Sequence, residues 1–253
     1  YLVEKYEIFY LPSVTAQLLI QDDENIFQSN VGKAVLIGNP KFSNPYTVNI
    51  DGRDIQLNFS PLPGTEREVK AISQLLKTTP VLGKDANMKN IVTLLAPIDV
   101  IEKQTLAKYP LLHIASHGIL LSDNPEESFI ALSEGKISAN YLYEFDPGLR
   151  VKMVILSACQ TALGISHPDS AVGLSNAFLV AGANTVGSTL WQISDDATVD
   201  LMVKFYEELL KGINVSSALR NAQISMIKNS KWKHPKNWAA FKIIGSTNNP
   251  LKP

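Results

Sequence analysis

Short apolar runs alternate with amphipathic stretches along most of this chain, and that alternation constrains the fold more than any other feature. "KAVLIGNP" (33–40), "LLHIAS" (111–116), "VKMVILSA" (151–158), "TVGSTLW" (185–191) and "WAAFKIIG" (238–245) read as buried strands. Helical patterns lie between them. In "GTEREVKAISQLLK" (64–77), Val69, Ile72, Leu75 and Leu76 form one apolar stripe, and Thr65 with Glu68 predicts a capping box. Further helices are predicted over 87–95, over 170–181, from Ser194–Asp196 to Leu210, and after a cap at Asn214. Asp51-Gly52 inside "TVNIDGRDIQL" predicts a hairpin, because both central positions of a type I′ turn need φ > 0. "FIALSEGKIS" reads as strand and turn, with Ser138 capping a short helix through Tyr143. Strands and helices at this spacing predict an α/β fold with a mainly parallel central sheet and helices on both faces.

At 253 residues the chain can bury one α/β core or two closely packed subdomains. A net charge of -1 gives no electrostatic reason to expect nucleic acid or an anionic membrane as partner. No run approaches the roughly 18 apolar residues of a membrane span. The opening "YLVEKYEIFY" has no initiator Met and no signal-peptide order, so the chain is expected to be a fragment of something longer. The single cysteine, Cys159, cannot form an internal disulfide, which fits a reducing, cytoplasmic setting. His113, His117, His167 and His234 form no zinc-type ligand pattern with it, and no metal or cofactor is expected.

Ligands of open α/β sheets bind beyond the carboxyl ends of the strands. His117-Gly118 follows one such strand and Cys159 another. If those strands are parallel neighbours, an imidazole and a thiol meet at one sheet edge. A free thiol, with a pKa of about 8.5, is only slightly ionised at neutral pH, and a nearby imidazole raises the thiolate fraction or takes the proton. A carbonyl under attack also needs amide donors, for which the N–H groups of Gly118 and Cys159 are candidates. A lone strand-end cysteine packs a core as readily as it reacts. His113 reads either as a buried support beneath the site or as a hydrogen-bonded core histidine. His167 and His234 read as loop residues.

The surrounding words are more specific. "LLHIASHG", "VILSACQTALG", "AVGLSNAFLVAGANTVGSTLWQISDDAT" and "HPKNWAAFKIIG" closely resemble the CHAT domain. That family is a branch of the caspase-like cysteine peptidases, often attached to tetratricopeptide repeats and similar to separase in its core. "LPGTEREVKAI" and "VLGKDA" resemble its N-terminal helix and following strand, so the resemblance runs from about Tyr6 to Gly245. It implies a caspase-like α/β/α sandwich over 1–253, with a pseudo-caspase part at 1–100 and a catalytic part at 101–253 if the chain divides. It also implies His117 as base or thiolate partner, Cys159 as nucleophile, and the amides of Gly118 and Cys159 as oxyanion hole. Against the caspase signature Q-A-C-[RQG]-G with its upstream His, Ser157 replaces the Gln, Thr161 replaces the final Gly, and His117 lies 42 residues upstream.

Caspase selectivity for Asp requires an Arg-lined pocket, yet Arg53, Arg67, Arg150 and Arg220 sit in no matching motif. Separase-like enzymes carry an acid after a Trp, and "WQISDD" resembles that word. The resemblance then implies a substrate pocket of Asp195, with Asp196 beside it, Trp191 as a wall and Ser157 nearby, taking Arg or Lys. Asp at a helix start also occurs for dipole reasons alone. The expected activity is cleavage of a protein partner after a basic residue, controlled by an attached repeat region or an activator protein. The alternative is a non-catalytic caspase-like interaction or signalling module. A third reading takes "VLIGNP" as a nucleotide-binding turn, without any G-x-G-x-x-G or P-loop to support it.

Overall fold

The computed structural model describes residues 1–12, 34–50, 52–95, 110–121, 124–144, 151–163 and 170–248. Its strands are β1 (Ala34–Pro40), β2 (Tyr46–Ile50), β3 (Arg53–Leu57), β4 (Val81–Gly83), β5 (Leu111–Ala115), β6 (His117–Leu121), β7 (Phe129–Ala131), β8 (Lys136–Ser138), β9 (Met153–Leu156), β10 (Cys159–Leu163), β11 (Thr185–Thr189) and β12 (Phe241–Gly245). Its helices are α1 (Leu2–Lys5), α2 (Pro63–Leu76), α3 (Met88–Leu95), α4 (Ala139–Tyr143), α5 (Ser170–Val180), α6 (Asp195–Leu210) and α7 (Val215–Lys228). Each strand expected from an apolar run is present, trimmed at one or both ends.

Six strands form the main sheet in the order β12-β11-β9-β5-β1-β4. Every neighbouring pair is parallel except β11 and β12. β1 and β5 share five register pairs, so residues before and after 100 belong to one sheet. Successive side chains alternate between its faces, and the cores divide accordingly. Leu36, Leu111, Met153 and Ile155 join α2, α6 and α7 residues such as Ile72, Phe205 and Leu219 in one cluster. Val35, Leu112, Val154 and Leu156 join Ile91 of α3 and Leu174 and Phe178 of α5 in another. The result is an α/β/α sandwich with both faces covered, the arrangement a parallel sheet requires.

The sequence pattern misassigned the start of α2. Leu62 is the N-cap and Pro63 the first helical residue, so Thr65 and Glu68 form no capping box. Proline at the first position has a favourable fixed φ and lacks an N–H that would be unpaired there anyway. Thr65 Oγ1 instead donates to the Leu62 carbonyl and accepts from Asn39 N–H, both at 2.8 Å. Asn39 is occupied further, accepting from Leu62 N–H and donating to Glu66. The "VLIGNP" turn is thereby tied to α2. The caps at Ser138 and Asn214 form as expected, each accepting the backbone N–H of the third helical residue, Tyr141 and Ser217 respectively.

A second sheet, of order β10-β6-β7-β8, was not anticipated. It packs on the β2–β3 hairpin through Val48, Ile119, Leu121 and Phe129, with Phe42, Tyr46 and Phe59 against them. Gly52 holds the hairpin turn at φ 75°, as an Asp-Gly turn requires. Among the described residues, no helix is long and apolar enough to cross a membrane.

Candidate active site

The chain passes from the first sheet to the second at two adjacent points. β5 ends at Ala115, Ser116 bends, and β6 begins at His117. β9 ends at Leu156, Ser157 and Ala158 follow, and β10 begins at Cys159. Before the bend, Ile114 pairs with Leu156, and after it His117 pairs with Cys159, both parallel. The offset of 42 residues is therefore kept through the transition. Side chains and backbone brace the bends: Ser116 Oγ donates to the Ala131 carbonyl, Ser157 N–H to Ile114, and Thr189 Oγ1 to Ala158. His117 and Cys159 stand at opposite register positions where two sheets meet. Both were expected in loops after strands, and both instead open new ones.

The His117 imidazole is half-buried and oriented from the hairpin side. Its Nε2 lies 2.9 Å from the Ser60 carbonyl oxygen. A carbonyl only accepts, so this bond puts the ring proton on Nε2 and leaves the lone pair on Nδ1. Phe59 stacks on the ring at 4.8 Å between centroids, and Phe42 lies tilted at 5.5 Å. Burial pushes the His117 pKa below the ordinary imidazole value, against a smaller opposing pull from the Ser60 carbonyl. The neutral ring is the favoured form near pH 7. Gly118 is buried, with register partners Gln160 on one side and Ile130 on the other.

Beside Ser157 and Ala158, a narrow cleft of about 20 Å³ runs between the first turns of α2 and α6. Gly64, Glu68, Ser157, Trp191, Asp195 and Thr198 are among its walls. Asp195 comes so close to α2 that a methyl group on Gly64 would lie 1.9 Å from Asp195 Oδ2 and 2.4 Å from its Cβ. Only glycine fits at 64. The Asp195 charge thus faces the N-terminal turn of α2 as well as opening its own helix, where exposed N–H groups favour an anion. Asp196 does not line the cleft; it pairs with Arg67 at 3.0 Å on the surface. Trp191 is exposed at the mouth, its indole N–H donating to Lys236 O.

His113 is fully buried beneath this region, with Nδ1 3.0 Å from the Tyr206 hydroxyl and Nε2 3.2 Å from Glu68 Oε1. It is a hydrogen-bonded core histidine. His234 accepts from Lys236 N–H in a surface turn, while His167 lies outside the described residues. Three contributors had not been assigned to the site. The Ser60 carbonyl is backbone and has no sequence signature. Phe59 follows a hairpin and shows no periodicity. Glu68 was legible in principle, since it lies four residues before Ile72 on the buried stripe of α2. Among the described residues no group of His, Cys, Asp and Glu side chains could hold a metal ion.

The CHAT domain family model matches residues 1–246. Human and mouse tetratricopeptide repeat protein 28 are each 26% identical to the chain over 284 aligned residues, covering 97% of it. The chain spans 11% of the length of those relatives. Among solved structures, separase in the Saccharomyces cerevisiae separase–securin complex matches 96% of the chain and 14% of its own, with a TM-score of 0.54 and 13% identity. The Arg-specific cysteine proteinase gingipain R matches 93% of the chain and 52% of its own, with a TM-score of 0.54 and 12% identity. At such identity these two structures establish a shared caspase-like architecture. With the family match extending over almost its whole length, the chain belongs to the CHAT domain family.

Proposed function

We propose that this domain is a cysteine endopeptidase that cuts a protein partner after Arg or Lys. The observation that carries the reading is the register opposition of His117 and Cys159 at the junction of the two sheets, with the imidazole already held in one tautomer by Ser60. In this mechanism His117 Nδ1 takes the Cys159 proton, and the sulfur attacks the scissile carbonyl carbon. The amide of Cys159, with that of Gly118 wherever the strand ladder leaves it unpaired, donates to the oxyanion. The imidazolium returns the proton to the leaving amine. Water then hydrolyses the thioester, with His117 again as base.

Asp195 receives the basic side chain, with Trp191 and Ser157 as walls of the same cleft. A cleft of about 20 Å³ has room for little more than a water molecule. It must widen to bind substrate. That supports control by an attached repeat region or activator, as does the small share of its tetratricopeptide-repeat relatives that the chain spans. A reducing compartment such as the cytoplasm suits a peptidase whose one thiol is its nucleophile.

The test is cleavage of a peptide library by the intact protein, in the presence and absence of its partners, with Cys159→Ala and His117→Ala beside it. Loss of all cleavage in Cys159→Ala is expected. Cleavage that survives that substitution refutes the peptidase assignment and favours the interaction-module reading.

A further inference from the structure

Glu68 lies in α2 one turn beyond Thr65, 2% exposed, with its side chain in the wall of the cleft that Asp195 borders. A carboxylate so deeply buried is costly unless donors surround it. Its Oε1 is within ion-contact distance of His113 Nε2, yet the two groups are not aligned as a hydrogen bond, and no other donor reaches that oxygen. Burial, reinforced by the Glu68 charge, raises the Tyr206 pKa well above its usual value, so its hydroxyl stays protonated. That hydroxyl is the partner of His113 Nδ1, at 3.0 Å. His113 thus offers the Glu68 carboxyl group no aligned donor. A buried anion compensated so poorly favours the arrival of a cation.

The cleft supplies a route for one. Asp195 and Trp191 are exposed at its mouth, while Ser157 and Glu68 are buried within it. We infer that Glu68 is a specificity-determining residue: together with Asp195 it forms a two-carboxylate receptor for the guanidinium of an arginine side chain, one acid at the mouth and one at depth. This rests on the peptidase reading with basic selectivity and narrows it. A planar guanidinium carries five donors in a fixed fork and can serve two carboxylates at once, whereas a lysine ammonium is a compact point charge with three donors. Arginine is therefore preferred over lysine. Entry requires the mouth at Asp195 and Trp191 to widen, because the cleft as it stands admits no guanidinium.

The experiment compares three peptides, identical except for Arg, Lys or citrulline before the cut, on the intact protein. Citrulline keeps the shape of arginine without its charge. The expected order is Arg above Lys above citrulline, and Glu68→Gln, which keeps the shape of the side chain, lowers kcat/KM for the Arg peptide about 10- to 100-fold. The citrulline rate stays within about twofold, so the Arg/citrulline ratio collapses. If Glu68 only supports His113, all three rates fall together and the ratio holds, which overturns the proposal. Binding of agmatine to the Cys159→Ala protein, measured by calorimetry, gives a readout independent of turnover. It is expected to be present there and lost when Glu68→Gln is added. A wild-type protein that cleaves Arg and citrulline peptides alike, or a Cys159→Ala protein that binds no agmatine, removes the basic-selectivity reading as well. Preserved Arg preference in a folded Glu68→Gln protein removes only the role of Glu68.

Discussion

The Nε2 atom of His117 lies 2.9 Å from the carbonyl oxygen of Ser60. That bond joins the hairpin connection to the junction of the two sheets. It fixes the ring tautomer from outside both sheets, so the hairpin segment around Phe59 and Ser60 belongs to the site as much as the strands do.

The imidazole pKa follows from this packing. Burial depresses it, and Phe59 supplies one stacked face. NMR titration should place the His117 ring protons' midpoint below about 6.5. Phe59→Ala exposes the ring and moves the midpoint upward. Because the unfolded chain binds this proton first, the stability it contributes is complete above the ordinary imidazole value and is lost as pH falls through the depressed one. A midpoint above that of an exposed histidine contradicts the account.

Gly64→Ala tests the contact between α2 and Asp195. Rotating the Asp195 side chain moves its carboxylate but not its Cβ, which would lie 2.4 Å from the new methyl group. One of the two helix starts must shift, at a cost of about 1–3 kcal/mol in a urea titration. The shift carries Asp195 with it and lowers kcat/KM on Arg and Lys peptides. An unchanged unfolding midpoint counts against the close approach.

Much of this was legible in the sequence, and the misses have physical causes. The strands ending at Ser116 and Ala158 could be read because each is a continuous apolar run. Their pairing follows from the parallel βαβ pattern. The second sheet could not be read, because "HGILL" and "CQTAL" follow bends held by partners distant in sequence, Ser116 Oγ donating to the Ala131 carbonyl and Thr189 Oγ1 to that of Ala158. Thr65 and Glu68 matched a capping pattern, but Pro63 two residues earlier started the helix first. Glu68 was thereby free to turn inward toward His113.

Tyr206→Phe probes the buried network. Removing the hydroxyl leaves His113 Nδ1 without its partner in a fully buried position. The expected cost is about 1–3 kcal/mol of folding stability, read by chemical denaturation. A cost near zero would mean that the hydroxyl and ring are not bonded.

Asp196 makes the opposite case. Its pairing with Arg67 is more than half exposed on both sides. Asp196→Ala should change stability by less than about 1 kcal/mol, and that difference should shrink further in high salt. A larger loss would show that Asp196 has a buried partner.

The most direct measurement is intact-mass analysis after treatment with an arginine-bearing peptidyl electrophile, on the intact protein together with any activating partner. The account predicts a single adduct on Cys159, absent in Cys159→Ala and formed far more slowly in His117→Ala. No adduct, or an adduct that persists without Cys159 or forms at the same rate without His117, would contradict the pairing of these two residues as a catalytic dyad.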